Sequence, residues 1–298
     1  MRVRVAVPAS VANLGPGFDI LAMALQLQND IRAEQRPGPL SVDAGPGAPA
    51  ALNDPEHNLV TIAYTKSCTE LGIPATGVHF ECVNRIPIGR GMGSSAAAAL
   101  AGVLVATALH QAPWDEDAVL ERAAAIEGHR DNAAAALLGG LAICAPGSPA
   151  VQMAVSDELR AVLFIPDLPF TTHEARQVVP TTFSRADAIF NASRCALLVR
   201  ALAIGDHAGL RIAMQDRWHQ DARFALMAGA QEIVTAANEA GASGAALAGA
   251  GPSVIALTPL ATEPIVAAMA SAAADAGVAG QTMVLPPRNY GTRVDIAP

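Results

Sequence analysis

Residues 86–99 read IPIGRGMGSSAAAA. Gly89, Gly91 and Gly93 alternate, Ser94 and Ser95 follow, and a run of alanines comes next. The glycines free the backbone to turn sharply and bring its N–H groups close to a ligand. Alanine is the strongest helix former, so the pattern predicts a helix from about Ser94 to His110. The first N–H groups of a helix lack internal partners and carry partial positive charge. Loop and helix start together make a cradle for phosphate. The stretch is not the common P-loop, because no Gly-Lys-Ser/Thr follows, and Ser94 stands where G-x-G-x-x-G needs its last glycine. A serine hydroxyl here can ligate Mg2+ or bond a phosphate oxygen. With no lysine in the loop, a magnesium ion and helix-end amides are expected to offset the charge of a transferred phosphoryl group. The ion needs a carboxylate, and AAAIEGHRDN offers Glu127 at a predicted helix end, with Asp131 close by.

Composition sets the outer limits. The chain has 298 residues, is 52% hydrophobic and only 15% charged, which supplies a large core and speaks against wholesale disorder. No apolar run reaches the ~18 residues of a membrane span, and MRVRVAVPAS alternates like a strand rather than a signal peptide. A net charge of −8 argues against a nucleic-acid surface. Cys68, Cys82, Cys144 and Cys195 form no C-x-x-C pair and are expected to be buried thiols in a reducing cytoplasm. The histidines show neither H-x-H nor H-E-x-x-H, so zinc has no support.

Along the chain, residues 2–7 read as a strand, ANLGPGFDI as a loop, and Leu21 to Ala33 as further strand. Asn58 caps a predicted helix to about Leu71, and Asp115 caps another to about Glu127. APGSPA at 145–150 is the linker candidate, dividing the chain into lobes 1–155 and 156–298. Strands and helices mix without steady alternation, which favours an α+β chain in two lobes with a ligand cleft between them. A second glycine loop, GAALAGAGPSVIAL, sets Gly249 and Gly251 between two strand-like runs. It reads either as a plain hairpin or as a wall that lets a phosphate or another backbone approach closely.

Three stretches together, PASVANLGPGFDILAMAL at 8–25, PIGRGMGSSAAAA at 87–99 and GAALAGAGPSVIAL at 244–257, resemble the GHMP kinases in order and spacing. Within that superfamily ANLGPGFD, EGHRDNAAAALLGG, HEARQVVP and the His219 to Arg223 segment are similar to the homoserine kinases. The resemblance covers nearly the whole chain. It implies an N-terminal α+β lobe with a left-handed β-α-β unit, a ferredoxin-like C-terminal lobe, and ATP-dependent phosphorylation of the side-chain hydroxyl of L-homoserine, a step of threonine synthesis. ATP would lie on Pro87, Ile88, Gly89, Arg90, Gly91, Met92, Gly93, Ser94, Ser95 and Ala96, with Mg2+ on Ser94 and Glu127. Glu121 is the rival carboxylate, because some relatives have a longer segment before the asparagine. Arg176 and Arg223 match the family's carboxylate-binding arginines, and their fork geometry suits that task. Asp19 matches the acidic residue that meets the ammonium; Asn13 and Asn132 match the asparagines lining the site. Asp19 and Asn132 are the catalytic candidates, although no residue is a convincing general base, and a loose phosphoryl transfer needs little base assistance. Arg130 stands where many relatives have proline. The resemblance further implies a cytoplasmic homodimer. The alternatives are a shikimate- or mevalonate-type kinase of the same superfamily and a non-catalytic ligand-binding relative.

Overall fold

The computed structural model describes residues 1–168 and 170–298. β1 (Arg2–Asn13) and β2 (Gly17–Gln35) form a long antiparallel hairpin. ANLGPGFDI, expected to be loop, is mostly strand: only Leu14 to Pro16 turn. Pairing explains the difference, since Ala12 sits opposite Ala22 and Asn13 opposite Gly17, with both flanks buried. β3 (Ser41–Asp43), α1 (Leu59–Glu70) and β4 (Val78–Val83) make a β-α-β unit whose strands lie parallel and adjacent. Then come α2 (Ser94–His110), α3 (Glu116–Glu127), α4 (Asp131–Leu138), β5 (Leu141–Ile143) and β6 (Val151–Met153). β5 pairs with β2, and β6 pairs with β5, so residues 145–150 join two strands of the first sheet.

The second half begins with β7 (Arg160–Pro166) and continues through α5 (Thr172–Gln177), α6 (Arg185–Ile204), α7 (Leu210–Ala213), α8 (Gln220–Phe224) and α9 (Ala230–Glu239). β8 (Gly244–Leu247), β9 (Val254–Thr258), α10 (Glu263–Asp275) and β10 (Gly280–Leu285) complete it. The strand order β10-β7-β9-β8, antiparallel throughout, with helices between β7 and β8 and between β9 and β10, is the ferredoxin-like order expected. β11 (Arg293–Ala297) then returns to the first sheet and pairs with β1, giving the order β11-β1-β2-β4-β3.

α2 is apolar almost all round because it is enclosed by β1, α1, α3 and α4. Its small residues let α1 cross closely at Gly102, where a Cβ would overlap the carbonyl oxygen of Val60. A valine there would force the helices apart, at a cost of about 1–3 kcal/mol. Asn58 accepts from the Val60 N–H at 3.0 Å and Asp115 from Ala118 at 2.8 Å, so α1 and α3 begin where their caps predict. One core runs from Val5 and Leu100 through Leu163, Leu198 and Met214 to Ile255, so the two sheets share it. A second core of Phe164, Ile233, Leu247 and Met269 lies under α9 and α10. Cys68, Cys82 and Cys144 are buried and Cys195 is half-buried. Among the described residues, no helix is long and apolar enough to cross a membrane.

Candidate active site

The glycine stretch becomes a turn that ends directly in α2. Gly93, at φ +71°, is the N-cap, and no side chain among the described residues caps the helix. A Cβ on Gly93 would strike the Ser10 hydroxyl and approach Asn132 Oδ1 to 3.2 Å. Those two side chains are themselves joined, Ser10 Oγ donating to Asn132 Oδ1 at 3.0 Å. Gly91, at φ +72°, faces the second glycine loop, and a Cβ there would overlap the carbonyl oxygen of Ala248 and lie 2.8 Å from that of Gly251. The two glycine loops therefore meet backbone to backbone, while β8 and β9 on either side of Gly249 and Gly251 pair as a hairpin.

A cleft opens at this junction. The β1–β2 hairpin contributes Asn13 and Asp19, the glycine loop Gly89 to Ser95, and the α3–α4 junction His129, Asp131 and Asn132. Thr172 and Arg176 enter from α5, Arg223 from α8, and Gly249 and Gly251 from the β8–β9 turn. Asn13, Leu14 and Asp19 all have positive φ, at 70°, 50° and 58°. Asn13 and Asp19 are residue types that tolerate this region, but for Leu14 it costs about 1–2 kcal/mol, the kind of local strain that gathers where a chain presents side chains to a ligand.

The charges are arranged unequally. Arg176 donates from Nη1 and Nη2 to the two Asp19 oxygens at 2.9 and 2.6 Å, with both side chains more than a third exposed. The Asp19 hydrogen bonds hold the Arg176 pKa above its ordinary value. Arg223 is 1% exposed. Its Nε donates to Ala175 O at 3.1 Å, and its Nη1 to Gly249 O at 3.2 Å and His219 Nδ1 at 3.0 Å. Burial, then the like charge of Arg176, pushes its pKa down to about 10. Phe18 lies between the two guanidiniums, 5.5 Å from Arg176 and 5.2 Å from Arg223.

At the opposite end, Ser95 Oγ donates to Glu127 Oε2 at 2.7 Å. Burial raises the Glu127 pKa, against the lowering effect of that hydrogen bond. It is Ser95, not Ser94, whose hydroxyl meets this carboxylate. Glu121 instead pairs with Arg130 at 2.9 Å with its side chain 60% exposed. His129 Nδ1 lies 2.9 Å from Asp131 Oδ1. Burial alone would lower the His129 pKa, but the Asp131 hydrogen bond and the charges of Asp131 and Glu127 raise it.

Not every expected residue lines this cleft. Pro87 and Ile88 border an adjoining hollow with Asn84, Ile165 and Gln281, and Arg90 lines both that hollow and the cleft. Met92 is a core side chain, and only its carbonyl takes part, accepting from Ser10 N at 3.2 Å. Ala96 is buried, and Glu127 stands behind Ser95. Asn13 spends its amide on protein, donating to Gly249 O at 2.8 Å and accepting from Asp19 N at 3.3 Å, so it fixes the hairpin turn against the second glycine loop.

Sequence reasoning missed α5, which carries Arg176. Its signal was present as the T-x-x-E of residues 171–174, which forms a complete capping box. The segment docks on the glycine loop, with Phe170 N donating to Gly89 O at 3.2 Å and Arg90 to Asp167 O. Phe18, Thr172 and His129 were also missed as site residues, although Phe18 lies inside ANLGPGFD and His129 inside EGHRDN.

Comparison with known proteins agrees with this architecture. Residues 58–140 match the family model for the GHMP kinases N terminal domain, and residues 198–276 the model for the GHMP kinases C terminal region. A homoserine kinase of Synechococcus sp. is 39% identical over 302 aligned residues, 99% of this chain and 98% of the relative. A homoserine kinase of Desulfitobacterium hafniense is 40% identical over 86% of each chain. The crystal structure of homoserine kinase from Cytophaga hutchinsonii superposes with a TM-score of 0.86 at 27% identity, covering 99% of this chain and 97% of that one. An L. major mevalonate kinase in complex with R-mevalonate shares the fold, at a TM-score of 0.71 over 95% of each chain. Matched along nearly its full length at this identity, the chain belongs to the homoserine kinase family of the GHMP kinases.

Proposed function

We infer that this chain catalyses ATP-dependent phosphorylation of the side-chain hydroxyl of L-homoserine, giving O-phospho-L-homoserine. The observation that carries this reading is identity to homoserine kinases of about 39% over 99% of the chain. The cleft supports it, since an open helix N-terminus and two arginines share one cavity.

The α2 amides and the glycine loop bind the polyphosphate of ATP, and the hollow of mixed polar and apolar lining beside Pro87 and Ile88 takes its base. Glu127 and Ser95, with Ser94 beside them, are hard oxygen donors that fit Mg2+, which prefers one or two protein oxygens together with substrate phosphates. Magnesium held there would neutralise phosphate charge. The substrate carboxylate lies on Arg223 and Arg176, and its ammonium on Asp19. An amino-acid zwitterion can thus replace each partner of the Asp19–Arg176 pair with one of its own ends. Asn132 points the hydroxyl toward the phosphate side. Asp19 is already paired with Arg176, and a loose phosphoryl transfer needs little base assistance, so positioning and charge stabilisation carry the rate.

We also propose lobes at 1–155 and 156–298, with β11 returning to the first, and a cytoplasmic homodimer. Exposed Ile189, Leu197 and Ile204 share one side of α6 and support association of two copies. The test of function is turnover of homoserine, shikimate and mevalonate with ATP and Mg2+. Homoserine is expected to be the substrate; transfer to shikimate or mevalonate alone would overturn the assignment, and ATP binding without any turnover would indicate a non-catalytic relative.

A further inference from the structure

Arg223 is a buried cation held by three neutral acceptors and no carboxylate within hydrogen-bond distance. Two of those acceptors are backbone carbonyls. The third, His219 Nδ1, is a side chain 1% exposed, one helical turn before Arg223. To accept from a guanidinium, Nδ1 must be bare, so the ring proton sits on Nε2. That nitrogen lies 2.8 Å from Gly15 O, where it can only donate. Two independent contacts thus select one neutral tautomer. A second proton would set N–H against N–H at Arg223, and burial, the largest influence, already holds the His219 pKa below its ordinary value.

The same imidazole lies 5.3 Å from the Phe18 ring and so packs against the hairpin end that presents Asp19. Gly15 belongs to that turn, and its Cα has no room for a side chain against the backbone of Met214. His219 therefore joins the element carrying the anion to the element carrying the buried cation. Arg223 Nη2 is left without a protein acceptor among the described residues, in a side chain that lines the cleft.

We propose that His219 is a positioning residue that, as a neutral bridge between Gly15 O and Arg223 Nη1, aims the free edge of Arg223 at the substrate carboxylate and fixes its spacing from Asp19. This rests on the homoserine reading above. Arg223 without His219 keeps its charge but loses the contact that sets its tilt, so the penalty should fall on carboxylate recognition and not on nucleotide binding or chemistry.

The experiment compares the parent chain with His219→Ala and His219→Asn on two acceptors, L-homoserine and 3-aminopropan-1-ol, which is homoserine without its carboxylate. Asparagine places an amide oxygen near the Nδ1 position and so keeps an acceptor for Arg223. His219→Ala is expected to raise KM for homoserine at least tenfold, with kcat within about threefold and KM for ATP unchanged. On 3-aminopropan-1-ol, read as turnover or as competitive inhibition, parent and His219→Ala should agree within about twofold. His219→Asn should recover most of the homoserine KM, and it carries the test if the alanine variant does not fold. Equal losses on both acceptors, a loss confined to kcat or to KM for ATP, or an unchanged homoserine KM would each reduce His219 to scaffold and overturn the proposal. Failure of the parent chain to phosphorylate homoserine would overturn the reading beneath it, a result separate from any of these.

Discussion

The deep ends of the cleft and its mouth hold charge in opposite ways. Arg223 is buried and Glu127, behind Ser95, is half-buried; neither has an opposite charge in hydrogen-bond contact, and burial works against both, pushing the arginine pKa down and the carboxyl pKa up. Arg176 and Asp19, more than a third exposed, neutralise each other, and the arginine pKa moves up. The protein thus keeps unspent charge at the two places where a substrate carboxylate and a divalent cation would supply the missing partner. At the mouth, binding only exchanges partners. Affinity should therefore come mainly from the buried groups, and selection for a zwitterion from the exposed pair.

The largest effect expected is from Arg223→Met, which removes the buried cation. We expect kcat/KM for homoserine to fall about 1,000-fold, about 4 kcal/mol, in line with loss of a buried charged contact. A loss under tenfold would erase the distinction between deep and exposed arginines. Next is Glu127→Gln, for which the rate at millimolar Mg2+ should fall about 100-fold. The sign of its pH effect sharpens the comparison. A carboxyl with a raised native pKa contributes stability below its unfolded pKa, and loses that contribution as pH rises through the native one. Without Mg2+, the glutamine variant should therefore melt above the parent at pH 7 and lose that advantage in acid. A lower Tm at pH 7 would show that ionised Glu127 is well compensated.

Asp19→Asn should act more mildly, raising KM for homoserine about tenfold while kcat stays within about threefold. A fall in kcat of several orders at saturating substrate would make Asp19 a general base. The smallest effect belongs to Arg130→Ala. Arg130 donates to Ser148 O at 3.0 Å and pairs with Glu121, tying the α3–α4 turn to the β5–β6 connection. Its loss should cost about 1 kcal/mol in thermal stability and change kcat/KM by less than threefold; a loss above tenfold would mean that the turn carrying His129 and Asn132 depends on it.

Much of this was legible before folding. The glycine-to-alanine transition marks α2 because propensity and capping agree there, and its predicted bounds of 94–110 match. Asn58 and Asp115 mark their helices for the same local reason. The hairpin at 12–20 reads wrongly, since its glycines and proline signal a loop while strand pairing holds the chain extended almost to the turn. β6 is three largely exposed residues with no apolar pattern to announce it. The site divides along the same line. Glu127 and the two glycine loops follow from local pattern. The contact of Gly91 with the 248–251 turn, the pairing of Asp19 with Arg176, and the bridge through His219 arise from juxtapositions between distant segments, which local composition does not encode.

The pairing of β11 with β1 bears on how the protein is made. β1 is synthesised well before Arg293–Ala297, the strand that covers its outer edge. Throughout elongation, one side of the nascent sheet offers a row of unsatisfied peptide groups to any neighbouring extended chain. Expressing residues 1–155 alone would make that vulnerable stage permanent, and aggregation of the fragment, relieved by adding back a peptide spanning 293–297, is the behaviour to look for.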